Sequence, residues 1–264
     1  MTGFRHIAEA LQERDGGYLF DIPDNWRQGR TAYGGLTAGL SLIAAQRQFS
    51  DLPPLRSLMI NFIGPVTENP VFKSRLLRQG RNVTSIETQA LIGEDVVATT
   101  TFIFGAARRS DLSVQHPAPE AAAPEGCELF TPEFAKPFVP VFFHNFDTRL
   151  IAGSRPMSGA EEGYARTWSR HIDESSRQGL ASLVTIGDVL PPAALPMFKK
   201  MGPVSSVNWM FNVLVDEPVT RDGWWHIETK LTAASGGYAS QVMRYWNSDG
   251  VLVAEGMQAV AIFV

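Results

Sequence analysis

Cysteine is nearly missing from these 264 residues; Cys127 stands alone. A lone thiol closes no internal disulfide and has no companions for a metal cluster, so the expected compartment is reducing and the expected location cytoplasmic. A dominant charge is missing as well. Lys and Arg number 23 against 27 Asp and Glu, and no Lys/Arg run occurs, which removes the electrostatic footprint of a nucleic-acid or anionic-membrane binder. No stretch approaches the roughly 20 uninterrupted apolar residues of a membrane span. The opening MTGFRHIAEALQERDGG spaces Phe4, Ile7, Ala8 and Leu11 helically among charges, unlike the apolar centre of an export signal.

Familiar catalytic signatures are missing too. There is no GxSxG elbow, P-loop, dinucleotide-type GxGxxG, HExxH or paired CxxC, and the five histidines are scattered without ligand spacing. Metal, nucleotide and triad enzymes are therefore not expected, and no cofactor is called for.

What is present is a core-forming composition, 44% hydrophobic and 19% charged, in a chain long enough for two units of about 100–150 residues. A repeat supports two. Gly80–Phe104 aligns with Gly236–Val260, setting Gly80 on Gly236, Thr84 on Ser240 and Val97-Ala98 on Val253-Ala254. Each copy reads as strand, Gly/Asp turn, strand. Phe102 falls where Gln258 stands, so the copies differ at a position that could face a pocket.

Each unit reads as one apolar helix followed by sequential strands, an α+β layer in which an antiparallel sheet wraps a helix. In the first, a strand over 17–24 precedes a helix over 35–49 with Leu36, Leu40, Ile43 and Ala44 on one face. Gly34, Gly35, Ala38 and Gly39 make its first turns slim. Strands follow over 55–63, 71–79, 83–92 and 96–105. Pro, Ala, Glu and Ser dominate from about Arg108 to Glu133, which cannot bury enough apolar surface to fold alone. The expected division is thus residues 1–107, a linker over 108–136, and residues 137–264. The second unit reads as strands over 138–150 and 163–172, a helix over 174–189 stopped by Pro191-Pro192, then strands over 205–215, 224–234, 238–246 and 251–263.

Three polar residues of the second unit draw notice. Asp188 ends the helix, where the negative end of the dipole raises a carboxyl's pKa, so it is either a solvated loop acid or one held there for a purpose. Gln258 lies in GVLVAEGMQAVAIFV on the face of Gly256, Val260 and Ile262, and its amide, if buried, must be hydrogen-bonded to a strand or to something else. Ser206, or adjacent Ser205, opens the strand SSVNWMFNVLV, a place where serine commonly serves a turn.

The segment Gly29-Arg30-Thr31-Ala32-Tyr33-Gly34-Gly35-Leu36 resembles the G-R-x-x-[FY]-G-G entry to the first helix of the acyl-CoA thioesterase II family, the double-hotdog thioesterases. Asp249-Gly250-Val251-Leu252-Val253-Ala254-Glu255-Gly256-Met257-Gln258 resembles its D-G-x-L-V-A-x-x-x-Q ending. The likeness covers nearly the whole chain. It implies two tandem hotdog folds, each an antiparallel sheet around one central helix, and a hydrolase of lipid metabolism acting on acyl-CoA. It implies a catalytic set of Asp188, Ser206 and Gln258. The family's usual threonine is serine here, and Asn208 stands where an acid is common.

The implied chemistry has Asp188 take a proton from a water held by Gln258 and Ser206, with backbone N–H groups of the Gly34-Gly35 turn stabilising the oxyanion. Tight helix-to-sheet packing explains those glycines equally well. Phe198, Trp209, Met210 and Phe211 are available for an acyl slot, and Arg27, Arg30, Lys199 and Lys200 for the CoA phosphates. Phe102 implies one reaction centre per chain, and a homodimer or homotetramer is expected. The other reading is a non-catalytic acyl-CoA or lipid-binding double hotdog. A hotdog dehydratase would need a His with an acid or a D-x-N-x-x-H stretch, and neither occurs.

Overall fold

The computed structural model describes residues 1–200 and 202–264. Helix α1 (Phe4–Glu9) leads to β1 (Gln12–Arg14), β2 (Gly17–Leu19), β3 (Arg27–Gln28), β4 (Thr31–Ala32) and the long helix α2 (Gly34–Gln48). Strands β5 (Leu55–Phe62), β6 (Val71–Gln79), β7 (Val83–Ile92) and β8 (Asp95–Gly105) follow. After a stretch over 106–123 without helix or strand come β9 (Glu128–Leu129), β10 (Phe146–Gly153), β11 (Tyr164–His171) and helix α3 (Leu180–Gly187). The chain ends in β12 (Val204–Val213), β13 (Trp225–Ser235), β14 (Tyr238–Trp246) and β15 (Leu252–Ile262).

Thirteen of the strands form one antiparallel sheet in the order β1-β2-β6-β7-β8-β5-β12-β15-β14-β13-β11-β10-β9. Helix α2 lies against β6, β7 and β8, and α3 against β11. The fold is a double hotdog of class α+β: two sheets, each curled on its own helix, run into one another through the β5–β12 seam. Alternation along β7 and β8 sends Ile86, Ala90, Phe102 and Phe104 inward onto Leu36, Leu40 and Leu42 of α2, joining both helices in one core.

The two helices also pack on each other, and this explains the slim face of α2. A Cβ on Gly35 would run into the Thr185 carbonyl, and one on Gly39 into the Thr185 hydroxyl and the Ala181 carbonyl. The close neighbour is the second helix rather than the sheet.

At the seam the registers are symmetric. Met59 pairs with Met210, Leu58 with Phe211 and Ile60 with Trp209. A pseudo-two-fold axis therefore passes between Met59 and Met210. It equates Leu58 with Trp209, and, through their partners on β8 and β15, Phe102 with Gln258.

Several elements differ from the sequence reading. The strand expected over 17–24 is only β2. The one expected over 138–150 begins as a 3-10 turn, Val141–Asn145, before β10, because its run of large rings packs inward as a block. The second helix stops at Gly187, short of the prolines, and the stretch from Glu174 to Ser176 is a separate 3-10 turn. Glu128–Leu129, inside the stretch read as linker, pairs with β10 at the sheet edge. The two repeated hairpins also differ in length. Ala90 pairs with Ala98 in the first hairpin and Tyr245 with Ala254 in the second, so the second carries one more residue around its turn. Thr84 thus matches Ala239, not Ser240, and Ile86 matches Gln241. Among the described residues no helix is long and apolar enough to cross a membrane.

Candidate active site

Asp188 is the C-cap of α3. The last carbonyls of that helix are satisfied: the Tyr33 hydroxyl donates to the Thr185 oxygen at 2.8 Å, the Val189 N–H to Ile186 at 3.0 Å, and the Tyr245 hydroxyl to Gly187 at 2.8 Å. Two tyrosines, one from each half, thus close the negative end of the helix. The Asp188 side chain turns to the other helix. The Gly35 N–H hydrogen-bonds to the carboxyl, and a Cβ on Gly34 would lie 2.7 Å from Oδ2 and 3.1 Å from the Phe62 ring. The carboxyl therefore meets the positive N-terminal end of α2, a partner that the reading of one helix end leaves out. Burial pushes the Asp188 pKa up to about 7, and the hydrogen bonds from Gln258 and the Gly35 amide only partly oppose this. Tyr33 and Tyr245 lie close enough that burial and the Asp188 charge both raise their pKa values.

Ser206 owes its direction to a bulge. Along β12, Trp209, Phe211 and Val213 are buried, so strict alternation would send Val207 and Ser205 inward. The pairing jumps from Ser206–Val260 to Asn208–Ala259, leaving Val207 as the extra residue on the outside. The phase resets, so Ser206 turns in and Ser205 is exposed. The first half has the same device: pairing jumps between Leu55 and Ser57, and Leu55 is buried.

Gln258 joins the two. Its Nε2 donates to Asp188 Oδ1 at 2.9 Å and to Ser206 Oγ at 3.0 Å. Its Oε1 accepts from Nε2 of Gln241 at 2.8 Å, and Oε1 of Gln241 accepts the Ala193 backbone N–H at 2.6 Å. Both glutamines are buried, at 2% and 1% exposure, so every polar atom of the pair has its partner inside the protein.

Asp188, Ser206 and Gln258 thus come together, with Gly34 and Gly35 across from the carboxyl. The other named residues do not share one place. Trp209 and Phe211 are fully buried, and the Trp209 ring packs beneath Gly187, 3.1 Å from where a Cβ would be. Met210 lies in the outward phase of β12, and Phe198 belongs to a separate small cluster with Ala194 and Ala239. Arg27 pairs with Asp24 and donates to the Arg30 and Thr67 carbonyls, while Arg30, Lys199 and Lys200 are exposed.

Sequence reasoning passed over Gln241, Tyr33 and Tyr245. Aligned by the true register, the repeat would have shown Gln241 as a second inward amide where the first half has Ile86. The matching first-half positions are apolar throughout: Leu55 for Ser206, Ile86 for Gln241 and Phe102 for Gln258. Among the described residues, no cluster of His, Cys, Asp and Glu could hold a metal ion.

Two family models match the chain, the acyl-CoA thioesterase N-terminal domain over residues 22–105 and the acyl-CoA thioesterase C-terminal domain over residues 119–262. No curated protein matches it in sequence. Among solved structures, a conserved hot dog fold protein of unknown function from Alicyclobacillus acidocaldarius is 22% identical with a TM-score of 0.88, covering 100% of this chain and 99% of the other. The acyl-CoA thioesterase II TesB2 from Mycobacterium marinum is 20% identical with a TM-score of 0.76, covering 98% of each chain. The tesB protein of Mycobacterium avium subs paratuberculosis is 18% identical, also with a TM-score of 0.76 and 98% of each chain covered. At these identities the likenesses establish the shared fold.

Proposed function

This chain belongs to the acyl-CoA thioesterase family, and from that membership and the site geometry we propose that it hydrolyses an acyl-CoA thioester to the free acid and CoA, with Asp188 as general base. The observation that carries the proposal is the single amide of Gln258 bridging the Asp188 carboxyl and the Ser206 hydroxyl. A partly buried carboxyl at a helix end needs a reason to be where it is, and a pKa near neutrality suits a base that takes a proton and gives it back.

In this scheme a water enters against Asp188 and Ser206, taking over one of the Gln258 hydrogen bonds. Its oxygen adds to the thioester carbonyl carbon as its proton passes to Asp188. The oxyanion is met by the Gly34 N–H, in the first turn of α2 where helix amides lack an intrahelical partner. The Gly35 N–H stays on the Asp188 carboxyl. Collapse of the tetrahedral adduct breaks the C–S bond, and the proton on Asp188 goes to the departing CoA sulfur. The same reading divides the chain into an N-terminal hotdog over 1–107, a connector over 108–136 and a C-terminal hotdog over 137–264, with one reaction centre in the second.

The test is release of free thiol from short, medium, long and aryl acyl-CoA substrates by the wild type and by Asp188→Asn. A fall of roughly 10²–10⁴-fold in the variant is expected if Asp188 is the base. Saturable acyl-CoA binding without turnover in the wild type would sink the hydrolase reading in favour of a binding protein.

A further inference from the structure

We infer that Gln241 is a positioning residue of this site, the part that decides which way round the Gln258 amide sits. The inference rests on the hydrolase reading above for its catalytic meaning, though not for its structural test.

An amide side chain can be turned over, exchanging oxygen for NH₂, and only its partners say which way is right. Gln258 has one carboxylate partner and one hydroxyl partner. The hydroxyl accepts or donates equally well, and a carboxyl does too once it is protonated, so with Asp188 neutral these two partners impose no direction. Gln241 imposes one. Its Oε1 receives the Ala193 N–H at 2.6 Å, and a backbone N–H can only donate. Its NH₂ must then face Gln258, and the contact at 2.8 Å must end on the Gln258 oxygen. Both Gln258 hydrogens are thereby directed at Asp188 and Ser206. One unambiguous main-chain donor sets two side-chain amides in series.

The local sequence supports the anchor. Pro191 and Pro192 carry no N–H, so Ala193 supplies the first main-chain donor after Leu190 as the chain leaves α3, and it is buried against β14. Gln241 is itself 1% exposed and lies directly opposite Gln258 in the β14–β15 register. Its side chain bonds Gln258 and the Ala193 N–H rather than Asp188 or Ser206. Its influence on the carboxyl therefore passes through Gln258. The titratable groups facing that carboxyl are Tyr33 on the turn before α2 and Tyr245 on β14, and both stay neutral across the range in which Asp188 titrates.

The experiment pairs two variants with two readouts: the Asp188 carboxyl titration by ¹³C NMR, and kcat and KM against pH. In Gln241→Leu nothing holds the Gln258 amide against turning over when Asp188 is protonated, so the neutral carboxyl gains the Gln258 oxygen as an acceptor that the native network withholds. The expected result is an upward move of the Asp188 titration and of the pH–rate midpoint together. Below the new midpoint a kcat lowered about 10- to 100-fold with KM within about threefold is also expected, since a move of about one to two pH units costs that factor in ionised base. Gln241→Glu keeps the shape and covers the case in which Leu does not fold. When protonated, the introduced carboxyl accepts from Ala193 and donates to the Gln258 oxygen, as the native amide does. When ionised, it draws the Gln258 NH₂ to itself and turns the Gln258 oxygen on Asp188. Gln241→Glu should therefore match wild type while the introduced carboxyl is protonated and fall progressively below it as pH rises, cutting short the rise that the wild type shows. A folded Gln241→Leu with an unmoved Asp188 titration, or a Gln241→Glu whose profile follows the wild type, would overturn the inference. Absence of hydrolysis in the wild type would overturn the function alone, because the NMR titration needs no substrate.

Discussion

Met59 and Met210 face each other across β5 and β12, and the pairs around them, Leu58 with Phe211 and Ile60 with Trp209, repeat in reverse order on either side. The chain is built about the point between these two methionines. One half uses that symmetry for packing and the other for a polar site. Leu55, Ile86 and Phe102 occupy, by register, the places of Ser206, Gln241 and Gln258.

That asymmetry can be tested at Phe102. Phe102 is fully buried, and Phe102→Gln would leave a cavity and an amide without the partners that Gln258 has. A loss of about 3–5 kcal/mol is expected by chemical denaturation, with no second reaction centre appearing in thiol-release assays.

Asp188 predicts a pH dependence with opposite signs for rate and stability. A base with a pKa of about 7 is active when ionised, so kcat/KM should rise with pH through that region and the rise should vanish in Asp188→Asn. For stability, the native carboxyl binds its proton more tightly than the unfolded one. Between about pH 4 and pH 7 the native state holds the extra proton, and folding stability falls as pH rises through this window. The melting temperature of Asp188→Asn relative to wild type should therefore climb over that window. A flat difference would show that the carboxyl is not perturbed.

The bulge at Val207 separates two adjacent serines. Ser205 is exposed and Ser206 meets Gln258, so Ser205→Ala should leave kcat within about twofold, whereas Ser206→Ala should lower it roughly 10- to 100-fold, the weight of one lost hydrogen bond. Equal effects of the two would mean that the strand phase is not the one described.

Gly39 tests the contact between the helices. An added Cβ would strike the Thr185 hydroxyl and the Ala181 carbonyl, the second of which is backbone and cannot swing aside. Gly39→Ala should cost about 1–3 kcal/mol, against the small gain that the same change gives in an open helix, and its urea midpoint should fall. Gly34→Ala places its methyl against Asp188 Oδ2 and the Phe62 ring instead, and should lower kcat more than it lowers the melting temperature.

Periodicity and repetition were enough to show two helix-and-sheet units and the strands β6, β7 and β14 at their true bounds, and the family's motifs drew attention to Asp188 and Gln258, which the fold sets within one hydrogen bond of each other. They failed where a nearby residue changes the phase. Nothing in SSVNW marks Val207 as the extra residue, so Ser205 and Ser206 could not be told apart, and one added residue around a turn hid the equivalence of Ile86 and Gln241. They failed again where the partner is distant in the chain. The Asp188 carboxyl, read alone, sits at the unfavourable end of its own helix. Folding brings Gly35 and the N-terminus of α2 to it, sets Tyr33 of one half and Tyr245 of the other on the last carbonyls of α3, and fixes two amides through the Ala193 N–H. A strand's pattern reports which face of its own sheet is buried. The direction of a hydrogen bond and the charge state of a partly buried acid depend on groups contributed from elsewhere, and only the closed fold brings those groups within reach.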